Sequence, residues 1–212
     1  MSTDYRDIMK AVIRSQHCQR NFDLSKQMPQ EDLELLVQAA TNCPSKQNIS
    51  FYDLHVLTDP ELIAKIHVLS TGVTADNVVT GKHVPTTNSQ TLANVLFVYV
   101  HKELDEITPK AFEKWSNADE AELKVFERDV NTAIGISSGY VNFIASMLGY
   151  ATGCCQCFQK DEIGKLMGLK RGPDLLMGIG FNDDSKNRRV HATDSELVFP
   201  TRTKEKIEVF YR

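Results

Sequence analysis

The longest helical pattern in the chain runs from Asp119 to Leu148 and constrains the fold most. It contains no proline, and Gly149 follows it as expected at a helix C-terminus. Its second half carries apolar residues around much of the helix circumference: Ile134, Ile136, Val141, Phe143, Ile144, Met147 and Leu148. We therefore predict one long helix that forms the buried axis of a domain.

Three segments predict strands around this helix. Tyr52–Leu57 alternates and carries β-favouring residues, whereas Asn94–His101 and Leu175–Phe181 are apolar throughout, as in strands covered on both faces. A few well-separated strands mixed with helices predict an α+β fold. No linker or repeat interrupts the chain, so residues 1–212 are expected to form one domain.

The remaining segments predict shorter elements. A first helix should span Asp4 to about Gln19, and a second should have Pro29 at its first position and end near Asn42. Ser70–Gln90 lacks a helical period and predicts an irregular loop. Further expectations are a capping box over Thr58–Glu61 with a helix to about Leu69, a polar helix around Pro109–Asn117, a strand or turn over Thr152–Phe158, a helix over Lys160–Met167 closed by Gly168, and a polar, extended tail from Asp183.

Composition excludes several classes of protein. The chain is 42% hydrophobic and 25% charged, with a formal net charge of −4 and no basic stripe, which argues against a nucleic-acid binder. No apolar stretch reaches the roughly 18 residues of a membrane span, and the N-terminus lacks the pattern of a signal peptide. A cytoplasmic protein is expected. Five cysteines, an odd number, favour free thiols over a disulfide framework.

Two motifs carry the functional signal. Gln16-His17-Cys18-Gln19-Arg20-Asn21-Phe22 follows the first helix, and Cys43-Pro44-Ser45-Lys46-Gln47-Asn48 follows the second. The ordered set of a basic run ending in Phe, a Pro-Ser-x-x-Asn turn, a long core helix, a glycine-containing turn and a basic C-terminal segment resembles the nitroreductase family over nearly the whole chain.

The resemblance implies a fold and an activity. It implies an α+β nitroreductase-like fold, with a central mixed or antiparallel sheet flanked by helices and a long buried core helix, in a homodimer. It also implies an FMN-dependent oxidoreductase in which NAD(P)H passes hydride to flavin N5. An acceptor such as a nitroaromatic or a quinone would then take the electrons at the same site, in a ping-pong reaction.

The site residues follow from the same resemblance. Gln16, His17, Cys18 and Arg20 match flavin-contacting positions, although the family usually places a phosphate-binding arginine where Gln16 stands; Arg14 could replace it only in another helix register. Pro44, Ser45 and Asn48 match a turn that contacts flavin across the dimer interface. Asn88, with Gln90, matches a position that contacts the ribityl chain or the pyrimidine. The backbone N–H groups of Gln156 and Cys157 match those that reach N5 and O4. Arg202 and Lys204 match the basic pair that binds the phosphate. Arg20, Gln156 and Cys157 are the expected catalytic positions, and no metal site is expected.

Other interpretations remain open at this point. The chain could be a flavin-binding protein with little turnover, because Gln16 departs from the family. Cys154 and Cys157 form a CxxC that could act as a redox dithiol, although the second cysteine pair of a zinc site is missing. Gly135–Gly139 satisfies GxSxG, with Asp183 and His191 in hydrolase order, but the residues before it are helical in pattern. Gly178-Ile179-Gly180 lacks the third glycine of a dinucleotide fingerprint.

Overall fold

The computed structural model describes residues 4–107, 113, 115 and 118–212. The α-helices with described bounds are numbered in chain order: α1 Tyr5–Arg14, α2 Gln30–Thr41, α3 Pro60–Leu69, α4 Glu120–Leu148 and α5 Lys160–Met167. The strands are β1 Tyr52–Leu57, β2 Val73–Asn77, β3 His83–Thr86, β4 Val95–His101, β5 Ala151–Cys155, β6 Leu175–Gly180 and β7 Leu197–Val198. Most of the predicted helix at 109–117 lies outside the described residues.

The main sheet has the strand order β1-β4-β6-β5, and every pairing in it is antiparallel. Its interior strands β4 and β6 are buried almost throughout, as their apolar sequences predict. Alternation along β4 sends Phe97 and Tyr99 into one core cluster, which includes residues of α2 and α4. Leu96 and Val98 enter a second cluster, which includes residues of α3 and α5. The fold is therefore α+β, with helices covering both faces of an antiparallel sheet.

The predicted long helix is present as α4. Asp119 caps it, with a capping box to Glu122, and Gly149 ends it in the left-handed region at φ 94°. The expectation that apolar residues are buried around its circumference is wrong for the isolated chain. One face, including Val130, Ala133 and Val141, is buried. The other exposes Leu123, Ile136, Tyr140 and Leu148.

Three local predictions need correction. Helix α1 ends at Arg14 rather than near Gln19, because the chain after Ser15 leaves the helix to pair with β5. Pro29 is the N-cap of α2 and not its first helical residue. The expected capping box at Thr58 is replaced by Asp59, whose side chain accepts a hydrogen bond from the backbone N–H of Glu61.

The segment Ser70–Gln90 is not an irregular loop. It contains the hairpin β2-β3, and β2 also pairs with β7 from the C-terminal part of the chain. Ala75 of β2 packs with Leu197 and Phe199. No local sequence pattern indicated this small sheet, because its strands are short and β7, one partner of β2, is over a hundred residues away.

Large apolar side chains remain exposed at both ends of the chain. Helix α1 buries only Ala11 and exposes Tyr5, Ile8, Met9, Val12 and Ile13. Residues 200–212 form neither helix nor strand, and Ile207, Val209, Phe210 and Tyr211 are exposed there. A membrane-crossing helix, judged by length and apolar character, is absent from the described residues.

Candidate functional site

Arg20 lies beside β5, on a segment held by a backbone hydrogen bond. The Gln19 N–H donates to the Thr152 carbonyl at 2.7 Å. The Arg20 guanidinium lies 4.7 Å from the centroid of the Phe199 ring. Its Nε is buried and has no hydrogen-bond partner. Burial lowers the pKa of Arg20, the neighbouring Cys18 raises it and the Arg188 cation lowers it. Arg20 is thus a cation with an unused donor inside the protein.

Gly153 allows the close approach that forms this region. A Cβ atom at Gly153 would lie 2.6 Å from the Gln19 carbonyl oxygen and 2.9 Å from Cβ of Gln90. Only glycine therefore fits between the Gln19 segment and Gln90 without a shift of the backbone.

The turn after β5 is built around the Cys155 sulfur. Asn88 Nδ2 donates to Cys155 Sγ at 3.0 Å, and the backbone N–H of Cys157 donates to the same sulfur at 3.3 Å. Asn88 is buried and also donates to Gln90 Oε1. Gln156 and Cys157 are exposed. Sulfur is a weak acceptor, so the Cys157 N–H can exchange this bond for a stronger one to a ligand.

Cys154, one of the two thiols of the predicted dithiol, and its neighbour Cys155 are not activated. Burial raises the pKa of Cys154 to about 12, and it raises the pKa of Cys155 as well. Thiols in this state are protonated at neutral pH and are poor nucleophiles. Cys154 packs against the core cluster that contains Tyr99, whereas Cys155 lies in the cluster on the opposite face of the sheet. Within the described ranges, no group of three or more His, Cys, Asp or Glu side chains could hold a metal ion.

Two buried histidines connect the segment before β4 to the C-terminal part of the chain. Thr87 Oγ1 lies 3.0 Å from Nε2 of both His67 and His191. His191 Nε2 also lies 3.0 Å from the Thr87 carbonyl oxygen, which can only accept, so Nε2 carries the proton. The Thr193 N–H donates to His191 Nδ1 at 3.3 Å. His191 is therefore a neutral donor to Thr87.

The same reasoning fixes the His67 tautomer. Thr91 donates its hydroxyl proton to the Asn88 carbonyl, so His67 Nδ1, 3.2 Å from Thr91 Oγ1, must be the donor to Thr91. Nε2 is then the acceptor for the Thr87 hydroxyl. Burial lowers the pKa of His67 to about 4, with His191 adding to the effect. The two neutral imidazoles hold Asn88 and the neighbourhood of Phe199 in one rigid network.

The Pro44–Asn48 turn is well formed but lies elsewhere. Gln47 and Asn48 have φ values of 55° and 57°, which are rare outside glycine, and Ser45 Oγ donates to the Ile49 carbonyl. Lys46 pairs with Asp129 of α4. The turn borders a groove of about 460 Å³ whose lining includes Ser45, Asn48, Tyr52 and Ala133.

Two contacts with α4 measure the separation of the predicted motifs. Asn142 donates to the Ser15 carbonyl at 3.1 Å, just before the Gln16–Arg20 run. Asp129, the partner of Lys46, lies roughly 13 residues earlier on α4, and therefore about 20 Å away along the helix axis. The two motifs therefore contact α4 at well-separated places.

Several predicted residues have no described role within the chain. Gln16, His17, Arg202 and Lys204 are exposed, and the described structure gives their side chains no hydrogen bond or ion pair. Arg14 is engaged away from position 16: its Nη1 donates to the Ser146 carbonyl at 2.6 Å, at the C-terminal end of α4.

The hydrolase interpretation is wrong. Ser137 lies in the middle of α4 with a fully buried side chain, and its Oγ donates to the Ala40 carbonyl at 2.9 Å. His191 is occupied by Thr87 and Thr193, as described above. The small residues of the GxSxG motif are part of a helix and not of a strand-to-helix elbow.

Sequence reasoning missed three residues around Arg20. Asn21 is buried and its Nδ2 donates to the carbonyls of Asn187 and Val190, each at 2.9 Å. Arg188, between those residues, comes close to Arg20, and Phe199 covers the guanidinium. The one available sequence signal was the Arg188-Arg189 pair in a polar tail.

Comparisons with known proteins identify a family and a fold. The model of the nitroreductase family matches residues 13–181, which is most of the chain. No curated protein matches.

Solved structures share the fold. One, from Exiguobacterium sibiricum, assigned as a nitroreductase and solved in complex with FMN, has a TM-score of 0.64 and 18% identity over 90% of this chain and 94% of that one. A Staphylococcus epidermidis protein assigned as an NAD(P)H:FMN oxidoreductase has a TM-score of 0.61 and 17% identity over 89% and 93%. A nitroreductase family protein from Streptococcus pneumoniae has a TM-score of 0.61 and 14% identity over 99% and 95%.

Proposed function

Because the chain belongs to the nitroreductase family, we propose that it is an FMN-dependent oxidoreductase that transfers electrons from NAD(P)H to a small-molecule acceptor such as a nitroaromatic or a quinone. The observation that carries the proposal is the Arg20 guanidinium, a cation with a buried and unpartnered Nε. Such a group fits the electron-rich edge of a flavin, and an FMN complex is known for a protein with this fold.

Bound FMN would supply the two-electron chemistry, and this chain would bind and orient it. Arg20 would hold negative charge at the N1 and O2 edge, because a fixed cation stabilises charge that develops in the reaction. The backbone N–H of Cys157 would leave the Cys155 sulfur for a flavin acceptor. Asn88 is held in place for a further polar contact by its bonds to Cys155 and Gln90.

We also propose that the active form is a homodimer. Arg20 and the Pro44–Asn48 turn lie on segments that contact α4 about 20 Å apart along its axis, and at an interface between two chains a flavin would contact Arg20 of one chain and the turn of the other. The exposed apolar face of α1, the exposed face of α4 and the apolar tail are surfaces that a second copy would cover. No nucleic acid or membrane is part of this proposal.

The test is the visible absorbance spectrum of the purified protein, after addition of FMN if necessary. We expect a flavin spectrum that bleaches on anaerobic addition of NADH or NADPH and returns with a quinone or a nitroaromatic. A bound flavin that neither nicotinamide bleaches would support the alternative of a flavin-binding protein with little turnover. Failure to bind FMN would reject both.

A further inference from the structure

Arg188 is held at a fixed position beside Arg20. The amide of the buried Asn21 donates to the carbonyls on either side of Arg188, those of Asn187 and Val190. The Arg189 backbone N–H donates to Asn187 Oδ1, which closes a tight turn. The backbone of Arg188 is thus fastened to the residue that follows Arg20.

The Arg188 side chain points towards the Gln16–Arg20 run, for which the resemblance implies a phosphate contact. Its Nη1 lies 3.4 Å from the Cys18 carbonyl oxygen, two residues from Gln16. Arg188 and Cys18 are both exposed, so this position is open to solvent. The contact with the carbonyl is long and leaves the other guanidinium donors available for a ligand.

The described residues give the two arginines no acidic partner. Among the ion pairs of the described residues, none involves Arg20 or Arg188. The nearby Asp183 is engaged by Ser185 and Lys186, and Asp184 accepts from Asn182. Two neighbouring guanidinium groups repel each other, and an anion bound at Arg188 would reduce that repulsion. An arginine fork suits the geometry of a phosphate group.

We propose that Arg188, held by Asn21 next to Arg20, forms a binding site for the phosphomonoester group of a ligand. The inference rests on the proposed function. Two ligands of the reaction carry a phosphomonoester: FMN at its 5′ position and NADPH at its 2′ position. Riboflavin and NADH lack these groups and serve as the matched ligands.

The experiment is a binding titration of the apoprotein with FMN and with riboflavin, followed by flavin fluorescence, for the wild type, Arg188→Gln and Lys186→Gln. Lys186→Gln removes the same charge from the same loop and is the control. We expect Arg188→Gln to weaken FMN binding at least tenfold with little change for riboflavin, Arg188→Lys to recover part of the loss, and the control to bind FMN within about twofold of wild type.

A second titration separates the two sources of phosphate. The site holds the nicotinamide phosphate if Arg188→Gln leaves FMN binding unchanged but raises the Kd of the flavin-loaded protein for NADPH at least tenfold more than its Kd for NADH. Unchanged binding of both, or equal losses for FMN and riboflavin, overturns the inference. A wild-type protein that binds no flavin would reject the proposed function itself, and this inference with it.

Discussion

Arg20 combines a charged guanidinium with a buried donor that the described protein leaves unpaired. The sequence motif suggested this residue, but its environment comes from Arg188 and Phe199, which lie 168 and 179 residues further along the chain. Burial weakens the competition of water for the guanidinium, so its interaction with a bound anion is stronger than at the surface.

We expect Arg20→Gln to lower the reduction potential of bound FMN by about 30 mV, which equals about 1.4 kcal/mol for a two-electron couple. The reason is the loss of a cation beside the edge that gains negative charge. The measurement is a dye-equilibration titration, with Arg20→Lys as the control that keeps the charge. An unchanged potential in Arg20→Gln would exclude this role for Arg20.

His67 makes stability depend on pH. Its folded pKa of about 4 lies below the usual 6.5, so the unfolded chain binds more protons between these values. The stabilisation is complete above pH 6.5 and is lost as the pH falls towards 4. We expect the free energy of unfolding to fall by about 2 kcal/mol between pH 7.5 and pH 5 from this residue alone.

Urea unfolding at the two pH values measures this effect. In His67→Gln the titrating group is absent, and the decline should be smaller by about the same 2 kcal/mol. His191, whose pKa burial also lowers, should leave a residual decline in the variant. An identical decline in wild type and variant would mean that His67 does not remain neutral in the folded protein.

At the scale of elements, α4 is the helix that both motif segments contact, the one before Gln16–Arg20 and the one with Pro44–Asn48. Its C-terminal end receives Arg14 at the Ser146 carbonyl, where a cation also interacts favourably with the helix dipole. Its earlier turns receive Lys46 at Asp129. The helix thereby fixes both the position of each motif and the distance between them.

We expect Arg14→Met to lower the free energy of unfolding by about 1 to 2 kcal/mol, because a charge-assisted hydrogen bond to a helix end is lost. Arg6→Met on the exposed face of α1 is the control and should change stability by less than about 0.5 kcal/mol. Urea unfolding measures both. FMN affinity should be unchanged in Arg14→Met. A large loss of FMN affinity without a change in stability would instead show that Arg14 binds the FMN phosphate.

At the scale of the whole molecule, the separation along α4 predicts a site shared between two chains. Arg20→Ala and Asn48→Gly should each damage both sites of a homodimer; glycine tolerates the positive φ of Asn48. In a mixed dimer, one site carries both changes and the other carries neither. Co-refolding the two variants should therefore restore about a quarter of the wild-type sites by random pairing of chains.

FMN content and NAD(P)H-dependent turnover of the mixture measure this complementation against the two separate variants. A mixture that equals the mean of its parents would show that both residues serve a flavin within one chain, or that the chains do not pair. Sedimentation of the wild type distinguishes these two cases, since only the second predicts a monomer.

The sequence by itself determined the local elements and the family. Periodicity and caps defined α4, β1, β4 and β6 because these depend on neighbours within a few residues. The ordered motifs identified Arg20 as a candidate for the same reason: each is a short continuous run. The family model that matches residues 13–181 agrees with that interpretation.

Only the tertiary structure decided what surrounds those residues. The short hairpin β2-β3, the histidine pair bridged by Thr87 and the position of Arg188 each depend on contacts between distant segments, which no local pattern encodes. Likewise, the motifs look adjacent in sequence order, but their contacts with α4, at Asn142 and Asp129, lie about 20 Å apart along the helix axis. Sequence names the chemical groups, whereas packing decides which of them can meet.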